Sequence, residues 1–166
     1  MPKDKAKLKL LLAFSGSFLL SLTVIHLLPE IYESKNVRIG LFIMVGILFQ
    51  IILEYFSQGA EHGHVHGHSK MNHIPWLLFI SLCIHALAEG FPVRHHHDLA
   101  LGIAIHHLPI AIILTTFFIN ANLDKKAIFL FMITFAVMTP LGTILSDYLP
   151  LLNAYYTEIT ADRKST

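Results

Sequence analysis

Five apolar runs, each close to the roughly 20 residues that take a helix across about 30 Å of hydrocarbon, constrain this chain more than any other feature. They extend approximately over residues 10–28, 39–56, 75–93, 99–119 and 127–149, with short polar stretches between them. Because a lipid-facing backbone must satisfy its own hydrogen bonds, such runs become helices. Composition agrees: 54% of residues are hydrophobic and 14% charged, and the mean hydropathy is +0.61, more apolar surface than a soluble domain of 166 residues could bury. The expected fold is an all-α polytopic membrane protein, a single bundle of about five transmembrane helices spanning residues 1–166.

Charge excludes other classes. A formal net charge of +1, with no basic block interleaved with aromatics, argues against nucleic acid as a partner. The single cysteine, Cys83, lies inside an apolar run, so neither a disulfide framework nor a thiolate metal cluster is available. Any metal must therefore be held by nitrogen and oxygen. The first run follows several lysines, as in a signal peptide, but His26 and Pro29-Glu30 stand where small cleavage-site residues would be needed. With a cytoplasmic N-terminus, seven basic residues fall inside (Lys3, Lys5, Lys7, Lys9, Lys70, Lys125, Lys126) and five outside (Lys35, Arg38, Arg94, Arg163, Lys164). The leading lysines favour this orientation, which makes the histidine-rich loop of residues 57–74 cytoplasmic. The expected location is a bacterial inner membrane, crossed several times.

Ionisable residues inside a span cost about 2.5 to 3.5 kcal/mol at a helix centre, so each needs a reason. In the third run His85 and Glu89 are four residues apart, which stacks an imidazole and a carboxylate on one helix face. In the fourth run His106-His107-Leu108-Pro109 sets two imidazoles before a proline, whose ring disturbs the carbonyl of Ile105. His85, Glu89, His106 and His107 are thus the expected metal ligands, with a structural hydrogen-bonded pair as the other reading of His85 and Glu89. His26 and Glu30 repeat the four-residue spacing at the end of the first run. They are either an entrance site or an interfacial pair, Glu30 solvated and His26 bonded to a neighbouring helix. Glu54 reads as an interfacial acid.

The loop alternates His62, His64, His66 and His68 with small residues, a pattern that binds borderline divalent ions weakly through neutral imidazole. It is internal and irregular, unlike an expression tag. His95-His96-His97 is either a second collecting site or a solvated turn, the turn being slightly favoured.

In order and spacing, His26-Leu-Leu-Pro-Glu30, the histidine-rich loop, His85-x-x-x-Glu89-Gly90, His106-His107-x-Pro109 and Pro140-Leu141-Gly142 resemble the ZIP family of zinc and iron transporters over most of the chain. The resemblance implies that the five helices correspond to the second through sixth of the family's eight. One transport helix and half the scaffold would then be missing, as in a fragment, a truncated gene or a shortened homologue that forms a homo-oligomer. Three positions depart from the family's two-metal site: Ala86 replaces an asparagine or serine, Ile110 a carboxylate or histidine, and Thr139 a glutamate. What remains is one site, from His85, Glu89 and one or both of His106 and His107.

The implied activity is transport of a divalent metal ion, with Zn²⁺ the first expectation, Fe²⁺, Mn²⁺ and Cd²⁺ as companions, and no organic cofactor. The lipid bilayer and the ion itself are the expected partners. A nonconducting metal-binding membrane protein is the alternative. An intramembrane metalloenzyme is disfavoured, because His-Glu-x-x-His is absent and no separate general base is evident.

Overall fold

In the computed structural model the described residues are 2–33, 39–57, 75–94 and 96–148, and among them secondary structure is helical throughout. Helix α1 covers Pro2–Leu22 and passes through a π-helical turn, Thr23–Leu27, into α2, Leu28–Glu33. Then come α3 (Ile39–Ser57), α4 (Trp76–Gly90) with a 3₁₀ turn at Phe91–Arg94, α5 (His97–Asn120) and α6 (Lys125–Ser146). Among the described residues, five segments are long and apolar enough to cross a membrane: Ala6–Glu33, Ile39–Ser57, Trp76–Arg94, Asp98–Asn120 and Lys125–Ser146. The chain is a multi-pass, all-α membrane protein.

The first span overruns its expected end. Pro29 should stop a helix, since it has no N–H for the Ile25 carbonyl and its ring collides with that oxygen. Here the wider π turn absorbs it: the Leu28 N–H bonds to the Thr23 carbonyl, and the helix continues to Glu33. Pro109 likewise lies within an uninterrupted α5, fully buried. Between α5 and α6 the chain reverses over Ala121–Asp124, with Asn122 in the left-handed region at φ 57°. Asparagine tolerates that conformation, and the Ala121 and Leu123 N–H groups cap the Phe117 and Phe118 carbonyls.

Side chains from α4, α5 and α6 build the core: Leu78, Leu82 and Ala86, then Ile110, Leu114 and Phe118, then Ile128, Phe131 and Phe135. The Phe131 ring stands 4.7 Å from those of Phe79 and Phe118. Helix α3 packs on α4, and α1 packs on α5 where Gly102 receives Leu19 and Leu22. The outward faces remain apolar, including Leu10, Phe14, Leu41, Leu48, Phe129 and Leu130. A water-soluble bundle would turn such residues inward, whereas lipid solvates them.

Helices α4 and α6 meet more closely than the rest. A β-carbon on Gly90 would collide with the Thr139 carbonyl oxygen, and one on Gly142 with that of Leu87. The absent side chains allow main chain to approach main chain, the usual basis of tight helix pairing in lipid. The Thr139 hydroxyl then donates to the Ala86 carbonyl and that of Thr143 to the Gly90 carbonyl, each at 3.0 Å.

Candidate metal centre

His85 and Glu89 occupy one face of α4, as their spacing requires, and that face turns inward. His85 Nε2 lies 3.3 Å from Glu89 Oε1, with side-chain exposures of 12% and 15%. The other carboxylate oxygen, Oε2, lies 2.7 Å from Nε2 of His107 on α5. One buried carboxylate is therefore shared by two imidazoles from two helices. His107 Nε2 and Glu89 Oε2 lack hydrogen-bond alignment despite their closeness. The His107 ring is held by Phe135 of α6, edge to face at 5.1 Å.

The two fourth-span histidines stand close together on α5. His107 reaches Glu89, and the His106 ring centre lies 6.3 Å from that of His107.

Gln50 of α3 is a member that sequence reasoning missed. Its Oε1 lies 2.8 Å from His85 Nδ1, tying a third helix to the cluster. The available signal was an amide in the middle of an otherwise apolar span, since a buried amide needs a partner. Thr139 and Thr143 were missed as helix-joining groups. Ala86 and Ile110 are core residues, and Thr139 bonds across helices.

Among the described residues, no three histidine, cysteine, aspartate or glutamate side chains converge on one metal position. An ion would have to replace the direct imidazole–carboxylate contacts. Beside the cluster, a cavity of about 710 Å³ opens between α5 and α6. Its walls are mainly apolar, with His107, Thr139 and Thr143 as polar members.

The polar residues at the other end of α2 are arranged differently from their sequence spacing. His26 lies in the π turn and is exposed, so Glu30 is no longer stacked one α-turn from it. Glu30 instead lies 3.5 Å from His96 Nε2, with side-chain exposures of 19% and 16%. His96 is thus mostly buried and paired, unlike a residue of a solvated turn. Nearby, Arg94 Nε bonds Asp147 Oδ1 at 3.0 Å across the ends of α4 and α6. His62, His64, His66 and His68 lie outside the described residues.

Compared with protein-family models, with curated proteins and with solved structures, the chain matches none.

Proposed function

We propose that this chain is a ZIP-type carrier of divalent metal ions in a bacterial inner membrane, with Zn²⁺ as its leading substrate. The observation that supports this most is the carboxylate of Glu89 engaged by His85 and His107 inside the bundle. Two imidazoles and a carboxylate are a donor set that suits zinc, with a fourth position left for water. Glu89 supplies the negative charge that a dehydrated dication needs at membrane depth, and the imidazoles supply lone pairs. The ion enters between them, exchanging their direct contacts for metal–ligand bonds of about 2.0–2.2 Å. Movement of α5 with its partner α1 against α4 would then open the site to one side or the other.

Uptake of zinc into proteoliposomes holding the chain, compared with empty vesicles, tests the reading. Saturable uptake supports it. Tight binding without uptake identifies instead a nonconducting metal-binding protein.

The cytoplasmic histidine loop is proposed to collect metal weakly. Replacing His62, His64, His66 and His68 with serine is expected to lower the number of weakly bound ions and leave the tightest site unchanged, because flexible imidazoles lose ordering entropy on chelation. Calorimetry of zinc binding distinguishes the two classes. Loss of the tightest site would contradict this division.

A further inference from the structure

One end of the bundle is strongly basic. Lys7 and Lys9 stand near the start of α1, Lys125 and Lys126 at the start of α6, and all four are exposed. Glu30 meets His96 while Leu19 and Leu22 face Gly102, so α1 runs antiparallel to α5. Helix α6 begins directly after the turn that ends α5, which brings both lysine pairs to the same membrane face. None of the four is ion-paired with a described side chain. The described carboxylates at this end are Asp124 and Glu54, too few to neutralise it.

The two pairs lie at different depths. About 27 Å of α5 separates Gly102 from Asn120, whereas about 17 Å of α1 separates Lys9 from Leu20, which stands between the two leucines that face Gly102. Lys9 therefore stops about 10 Å, and Lys7 about 7 Å, short of the level where α5 ends. The headgroup layer is about 5 to 8 Å thick on each side of the hydrocarbon. With Lys125 and Lys126 at its aqueous edge, Lys7 and Lys9 stand at its hydrocarbon edge. A signal that only orients the chain needs lysines on one side of the membrane and sets no depth. At the hydrocarbon edge an ammonium loses water and needs a counter-charge, which lipid phosphate supplies. In phosphatidylcholine the choline cation offsets that phosphate, and in phosphatidylglycerol no such cation is present.

We propose that this end of the bundle binds anionic phospholipid headgroups, Lys7 and Lys9 engaging their phosphates from the hydrocarbon side and Lys125 and Lys126 from the aqueous side. No residue of the Glu89 cluster takes part, so the carrier reading stands or falls separately.

The test uses the full chain in detergent micelles, titrated with phosphatidylglycerol or with phosphatidylcholine of the same acyl chains, and native mass spectrometry reads the affinity for the first lipid bound. The parent is expected to bind phosphatidylglycerol about fivefold or more tightly than phosphatidylcholine, the effect of about one lysine at an anionic surface. Changing all four lysines to glutamine should bring the two lipids within about twofold of each other, and changing all four to arginine should keep the preference. Retention in the arginine variant separates charge from misfolding. Lys7→Gln with Lys9→Gln, and Lys125→Gln with Lys126→Gln, should each remove part of the preference. Equal affinities in the parent, a preference that survives the four glutamines, or one lost with the four arginines overturns the proposal. Loss of the whole preference with one pair and none with the other overturns the two-sided contact.

Discussion

Glu89→Gln is expected to abolish the tight zinc site and to reduce zinc uptake to the level of empty vesicles. The substitution keeps the length and planarity of the side chain, so it removes charge and one acceptor with little change of shape. Removing one partner of a buried, hydrogen-bonded charge pair weakens binding by roughly 2 to 5 kcal/mol, about 30-fold or more in affinity. A dication inside the bundle should lie at the upper end, because His85 and His107 bring no compensating negative charge. His107→Ala should also be severe. His107 Nε2 lies 2.7 Å from the Glu89 carboxylate, so its loss removes an imidazole donor from the site. Dye-competition binding and proteoliposome uptake, both measured on folded protein, check these results. Wild-type behaviour from Glu89→Gln would remove the proposed site.

The second large effect is on the fold. Gly142→Leu should destabilise the bundle by roughly 3 kcal/mol or more, at the top of the usual range for overpacking. The obstruction at this position is the Leu87 carbonyl, main chain of a neighbouring helix, and it cannot rotate aside as a side chain could. Relief requires α4 and α6 to separate, which breaks the hydroxyl–carbonyl bonds of Thr139 and Thr143 as well. For a chain of this length the loss corresponds to a fall in melting temperature on the order of 10 °C. Gly46→Ala is the control, since nothing lies within 4 Å of a β-carbon there. Thermal unfolding in detergent should show little change for Gly46→Ala and a large drop for Gly142→Leu. Equal stability of both would show that the α4–α6 contact is looser than described.

Hydropathy made the spans readable, because lipid demands long apolar helices and leaves few other folds. The pairing of His85 with Glu89 was equally legible, since it is local to one helix and follows from the four-residue spacing. Contacts between helices were legible only as the expectation that His106 or His107 would join His85 and Glu89. Whether His106 or His107 faces Glu89 depends on the rotation of α5 about its axis, which is set by core side chains such as Ile110 and Leu114. Gln50 reaches His85 across 35 residues of sequence. The pairing of Glu30 with His96 rather than His26 follows from a π turn that accommodates Pro29, and proline by itself signalled only a stop. Small residues mark tight helix contacts in lipid, but Gly90 and Gly142 are joined by tertiary packing that spacing along one chain does not encode.

The most direct measurement is the X-ray absorption spectrum of zinc bound at the tightest site of the chain with His62, His64, His66 and His68 changed to serine. The site described here predicts a first shell of nitrogen and oxygen at about 2.0–2.2 Å, with imidazole scattering from two histidines that falls to one in His107→Ala. A shell without imidazole, or one unchanged by loss of either His85 or His107, would contradict a metal centre built on Glu89.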